Sequence, residues 1–222
     1  MNGDYEIQGV PQGDYPKLIA QGNGYREVKE VHVGAGTNDV DFAPRFNWAG
    51  PGTGSSVIKA TGKDYTSFGC GPERAIDGSQ TAGWSTSSGK GQSTDGGDGF
   101  FPKHIIVKLG DPVDISSFGV DPSSTCGDQE TSGTAGYAIA GRANTTDPWS
   151  PLASGTFTGA DNGTLAEVAA SGSTSNIRYL RFTIQSNQVP DFDTTCADGG
   201  GPSGCSFTDL TELEVFGTPP GP

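Results

Sequence analysis

No part of this chain stays apolar for long enough, or with the right spacing, to build an extended helix. From Val57 onward the apolar residues come in short runs between turns: VIKAT, HIIVKLG, ISSFGV, GYAIAG, GTFTG, LAEVAA, IRYLRFTIQ and DLTELEVFG. One-residue alternation is clear in HIIVKL and RYLRFTI, which predicts that Ile105, Val107 and Leu109, and Tyr179, Phe182 and Ile184, face a core. Only LAEVAA has the character of a helix turn. With 36 glycines, 15 prolines and an apolar share of 32%, the chain fits many short strands joined by turns. The expected fold class is all-β, an antiparallel sandwich or jelly roll. At 222 residues there is room for one full domain and a smaller one.

The smaller piece is residues 1–48. Tyr5, Ile7, Leu18, Ala20, Val28, Val31, Val33, Val40 and Phe42 alternate there, broken at PQGDY and GAGTND, which implies three to four strands. A linker is expected at residues 49–56, AGPGTGSS, from its small-residue composition. The main domain then occupies 57–217, and the proline-rich residues 218–222 form a tail. Within it, Ser85–Lys103 and Gln185–Phe207 read as long Gly/Asp-rich loops, the kind that often carries function.

Charge and cysteines narrow the function. A formal charge of −13 repels phosphate backbones and anionic lipid headgroups, so nucleic acid and acidic membranes are excluded as expected partners. No apolar stretch approaches bilayer-spanning length, and residues 1–30 show no leader pattern, so a signal peptide would lie outside this sequence. The four cysteines contain no C-x-x-C, and there are only two histidines, His32 and His104, so zinc is not expected. Two disulfides in a secreted, extracellular protein are the simpler account, with Cys196 to Cys205 the clearest pair and Cys70 and Cys126 supplying the rest. No H-E-x-x-H, G-x-S-x-G or phosphate-binding loop is present, and the chain is expected not to be an enzyme.

Two resemblances organise these readings. GDYEIQGVPQGDYPKL followed by GNGY resembles the C-terminal half of a carboxypeptidase regulatory-like (transthyretin-type) β-sandwich, a partial domain whose first strands are missing here. An open sheet edge would follow, suited to self-association or to pairing with another chain. Further on stand AIDG with a Trp six residues after its Gly, a strand ending KLG, GYAIAGRANTTDPW, IRYLRF and a terminal ELEVFG, in that order. That succession resembles the discoidin, or coagulation factor V/VIII type C, domain. It is the galactose-binding-like jelly roll shared by carbohydrate-binding modules of family 32. FGCGPERAIDG and SGCSFTDLTELEVFG are similar to the tails of bacterial fungalysin-type secreted metallopeptidases, which implies an accessory region of a larger protein.

The resemblance implies a structural calcium ion held by the AIDG loop and the last strand. Carried over by position, its ligands are the Asp77 and Glu212 carboxylates and the carbonyls of Arg74, Ser79 and Ala82, where Ala82 stands in place of the family's usual threonine. From the residues alone, Asp77 before Gly78 also suits a turn cap. Trp84 and Trp149 are expected to anchor the core or its edge. The resemblance further implies a carbohydrate or glycoprotein ligand bound by loops at one end of the roll. Phe100, Phe101, His104, Arg142, Asn144 and Phe192 are the candidates by residue type: aromatics to stack on a pyranose, polar groups to bond its hydroxyls. The acidic stretches at residues 94–100 and 196–201 are weaker candidates for a second calcium.

Overall fold

The computed structural model describes residues 7–22, 25–40, 45–88, 102–192 and 201–221. It is all-β, with only short 3-10 turns besides strands, and it divides into two compact units, Met1–Phe46 and Asn47–Pro222. Among the described residues no helix is long and apolar enough to cross a membrane.

The first unit is a three-stranded antiparallel sheet in the order β1 (Gly13–Gly22), β2 (Tyr25–Val33), β3 (Arg45–Phe46). Gly13, Asp14 and Tyr15, read above as part of a turn, open β1 and pair with Val33, His32 and Val31. Of the predicted apolar face, Val31 is buried, Leu18, Ala20, Val33 and Val40 are half-buried, and Ile7 is exposed. Tyr5 and Phe42 lie outside the described residues, and the structure does not describe the Val28 side chain.

The second unit is an antiparallel jelly roll. Its largest sheet follows the order β12 (Glu212–Thr218), β6 (Lys103–Asp121), β10 (Ile177–Ile184), β7 (Gly136–Arg142), β8 (Ser150–Thr156). Two more strands, β4 (Ser56–Ala60) and β9 (Ala166–Ala169), pair with β6. The first half of β6 pairs with β10 and β4, and its second half pairs with β12 and β9. One strand thus contributes to both layers. Ile105, Val107 and Leu109 from the first half, Phe118 and Val120 from the second, and Leu180, Phe182 and Ile184 from β10 fill the core between them.

Several expectations are corrected here. LAEVAA yields a strand, because Ala166–Ala169 pairs with Ser117–Val120. In RYLRFTI the core residue is Leu180, since the alternation running through Phe182 and Ile184 places Tyr179 on the outer face. Residues 49–56 are no free linker: Ala49 is buried, the Trp48 N–H donates to the Val215 carbonyl, and the Trp48 indole donates to the Gly217 carbonyl at 3.1 Å. Thr53 lies against Gly110 so closely that a Cβ there would strike its carbonyl. The loop expected from Ser85 hides a strand, β5 (Trp84–Ser87), paired with β11 (Phe207–Leu210).

The register gives the roll two ends. At the proximal end the chain enters through Trp48 and leaves through Gly217, beside the start of β10. At the distal end β6 begins, β7 begins and β10 finishes, with Ile184 opposite both Lys103 and Tyr137. Most of the 3-10 turns and the disulfide between Cys70 and Cys126 cap that distal end.

Candidate functional site

The residues predicted to bind a ligand do not converge. His104 is the second residue of β6, at the distal end, where the Thr61 hydroxyl accepts from its N–H at 2.8 Å. Phe192 closes a 3-10 turn, Val189–Phe192, and its ring packs on the backbone of Gly159, just beyond the distal end of β8. Arg142 and Asn144 instead lie at the proximal end of β7, where Arg142 pairs with Tyr179. Five residues of β7, about 17 Å of strand, separate the two groups. One ligand site cannot hold all four. Phe100 and Phe101 lie outside the described residues, as do the candidate calcium stretch at 94–100 and residues 196–200 of the other.

The proximal pair is occupied by its own turn. The Asn144 backbone and side-chain amides both donate to Asp147 Oδ2, at 2.8 and 3.0 Å, and Arg142 donates to the Asp147 carbonyl. The Trp149 ring is met by two guanidiniums, Arg142 at 4.2 Å and Arg181 at 4.9 Å from its centroid. Trp149 is therefore a half-buried clasp on the outer sheet face, whereas Trp84 is a core residue at 1% exposure.

A different set of residues builds a platform at the distal end. After β4 the chain passes Lys63 and Asp64 into a 3-10 turn, Thr66–Phe68, that ends on Gly69 at φ 80. Phe68 is 75% exposed and is the most exposed large hydrophobic side chain among the described residues. Its ring stands edge-on to Tyr65, with centroids 6.2 Å apart, and Tyr65 stands edge-on to Phe207 at 5.9 Å. The Lys63 ammonium lies 5.6 Å from the centre of the Tyr65 ring. Three aromatic rings and one cation thus share a surface.

That surface is held rigidly from below. Asp64 Oδ1 accepts from both the Thr66 N–H and its hydroxyl, and the Tyr65 carbonyl accepts from Phe68 and Cys70. The Thr86 hydroxyl of β5 donates to the Lys63 carbonyl at 3.0 Å. Cys70 then ties the loop to Cys126, 56 residues along the chain. Cys205 is also disulfide-bonded, and its expected partner Cys196 lies outside the described residues. Sequence reading missed Phe68 and Tyr65 because DYTSFG has no periodicity, and a lone aromatic in a turn gives no sign of its exposure.

The AIDG loop is stitched together by its acids. Asp77 Oδ1 accepts from the Ser79 N–H at 2.9 Å, Asp77 Oδ2 from the Arg74 guanidinium at 2.9 Å, and Glu212 Oε2 from the Gly78 N–H at 3.1 Å. Glu212 is fully buried. The two carboxylates thus bond consecutive amides of one turn, with Asp77 also paired to Arg74, and a hard divalent cation there would need further oxygen ligands. Among the described residues no three His, Cys, Asp or Glu side chains form a metal-holding group, so backbone carbonyls and water would complete the shell.

A second pair of acids is Asp209 on β11 and Asp128 in the turn after Cys126, which bonds Ser85 of β5. Asp209 is fully buried, and burial, with the charge of nearby Asp128 adding to it, pushes its carboxyl well above the usual carboxylate range. Burial also raises Asp128, against a hydrogen bond from Ser85.

Comparison with known proteins agrees with this architecture. No curated protein sequence matches the chain. Among solved structures, a fragment of a putative chitobiase from Bacteroides thetaiotaomicron superposes with a TM-score of 0.56 at 16% identity, covering 83% of this chain and 99% of that one. A family 32 carbohydrate-binding module from a family 31 glycoside hydrolase of Clostridium perfringens gives 0.51 at 20% identity, covering 74% and 92%. Another such module from Clostridium perfringens, solved with GalNAc-β-1,3-galactose, gives 0.51 at 18%, covering 73% and 95%. At these identities the likeness establishes the fold. The model of the F5/8 type C domain family matches residues 53–194, well over half of the sequence, and the chain belongs to that family.

Proposed function

We propose that this chain is a non-catalytic extracellular module that binds carbohydrate, free or on a glycoprotein, through the Phe68–Tyr65–Phe207 platform at the distal end of its jelly roll. The observation that carries this reading is Phe68: an aromatic ring 75% exposed on a loop pinned by a disulfide, at the end away from the chain's entry and exit. An exposed ring offers the apolar face of a pyranose a stacking surface, and a rigid loop binds without an ordering cost. Lys63 and His104 stand at the same end to donate to ring hydroxyls or to an acidic substituent. A family 32 module solved with GalNAc-β-1,3-galactose shares the fold, which supports carbohydrate as the ligand class.

Calcium belongs to the same reading as a structural ion. The Asp77 and Glu212 carboxylates, with the carbonyls of Arg74, Ser79 and Ala82, would hold it beneath the distal loops, and its role is to fix the AIDG loop to the last strand. The disulfide supports secretion, and the similarity to metallopeptidase tails supports an accessory role in a larger secreted protein.

A glycan array probed with the pure chain, in calcium and again in chelator, with a melting curve in each buffer, tests both parts. The expected result is binding to a defined group of glycans and a melting point lowered by chelator. Absence of binding to every glycan would overturn the carbohydrate reading. A melting point indifferent to chelator would overturn the calcium reading.

A further inference from the structure

Asp209 of β11 and Asp128 of the Cys126 turn meet beside Ser85 of β5, neither paired with a basic side chain among the described residues, and we infer that they bind a second divalent cation of the calcium class, with the Ser85 hydroxyl as a third oxygen. Asp209 is 0% exposed, and one of its oxygens, Oδ2, accepts from the Thr125 N–H at 2.9 Å. The other, Oδ1, is buried, and the one side-chain donor near enough to serve it is the Ser85 hydroxyl. Directly across the ribbon from Asp209 is Ser85, whose hydroxyl donates to Asp128 Oδ2 at 3.2 Å. Ser85 has one hydroxyl proton, and two carboxylates lie within its reach.

Charge and access favour an ion here. Among the described residues no Lys, Arg or His pairs with either acid. Asp209 is taken out of water without a basic partner among the described residues, and an ionised carboxylate there is costly. A hard cation answers that cost and fills the coordination of Asp209 Oδ1, and the donors are all oxygens. Asp128 is half-buried, so the site has one wet side through which a hydrated ion enters and keeps some of its water.

The framework is fixed on three sides. Asp128 follows Cys126 and Gly127, both at positive φ, and its N–H donates to the Thr125 carbonyl at 2.9 Å. The Ser85 N–H donates to the Cys70 carbonyl, so the disulfide partner of Cys126 also holds β5. Ser85 and Asp209 are locked by the β5–β11 register. The two buried acids have different partners: Glu212 accepts from the Gly78 N–H and Asp209 from the Thr125 N–H. An ion between Asp128 and Asp209 would cross-link the Cys126 loop to the strand that carries Phe207, and so stiffen the floor of the aromatic platform.

The test is calcium titration by calorimetry on the chelator-stripped chain. Wild type is expected to take up two ions, and Asp209→Asn and Asp128→Asn are each expected to lose one, or to weaken it by more than about 100-fold, beyond the loss of an outer-shell partner. Glu212→Gln is expected to remove the other ion and leave this one. The half-exposed Asp128→Asn guards against a folding defect, and its melting transition confirms the fold. Wild-type stoichiometry in both Asp variants would overturn the proposal. A single wild-type ion that is lost in Glu212→Gln and kept in Asp209→Asn would overturn it as well, while leaving the AIDG calcium standing. A single ion lost in both Asp variants and retained in Glu212→Gln would support it and remove the AIDG ion instead.

Discussion

Replacing Cys70 and Cys126 together by serine is expected to lower the unfolding free energy by about 4 kcal/mol, because the bond closes a loop spanning a separation of 56 residues. The effect is large because three local structures meet there. Cys70 ends the loop that carries Phe68, its carbonyl receives the Ser85 N–H of β5, and Cys126 leads into the turn of Asp128. None of these turns is long enough to hold itself. Denaturant unfolding of the double variant against wild type, both without reductant, measures the loss. A change below about 1 kcal/mol would mean that the distal loops stand without their cross-link. Glycan affinity should fall with stability, since the platform would then pay an ordering cost on binding.

Trp84→Ala is expected to cost a comparable amount, about 3 to 5 kcal/mol, by leaving a cavity in the core. Trp84 is 1% exposed, opens β5 opposite Leu210, and belongs to the same core cluster as Ala75 and Ile76, the first two residues of AIDG. Trp149→Ala makes the informative comparison. Its ring is half-buried and meets Arg142 and Arg181, contacts worth about 0.5 to 2 kcal/mol each, so the loss should be clearly smaller. Urea midpoints of the two variants give the order directly. Equal costs would contradict the assignment of one tryptophan to the core and the other to the sheet surface.

The fold was legible wherever one face of a strand is buried and the other wet. HIIVKL shows this, because Ile105, Val107 and Leu109 are core and His104, Ile106 and Lys108 are not. Tyr179 misled because it is half-buried on the outer face beneath Arg142, and a period of two assigns a face only once the register is known. The strand Trp84–Ser87 was hidden for another reason: Ser85, Thr86 and Ser87 are polar, and all three are buried. Hydrophobic patterning gives no signal for buried serines and threonines. Residues 49–56 have a linker's composition, yet close contacts such as Thr53 against Gly110 exploit that same smallness.

The site was less legible than the fold. Residue type suggested Arg142 and Asn144 beside His104 and Phe192, but loop chemistry alone does not say at which end of a sandwich a loop emerges. Strand direction does: His104 is the second residue of β6 and Arg142 ends β7. Phe68 required the structure, because its exposure is set by the Asp64 turn and the disulfide beneath it.

The central claim is that the distal aromatic platform binds carbohydrate, and the most direct measurement is a glycan array read side by side with wild type, Phe68→Ala and Asn144→Ala. Phe68 is exposed and carries none of the core, so its removal should leave the fold intact. The account predicts binding by wild type, loss of about tenfold or more in Phe68→Ala, and unchanged binding in Asn144→Ala. Binding that survives in Phe68→Ala and disappears in Asn144→Ala would place the ligand at the opposite end and contradict the account.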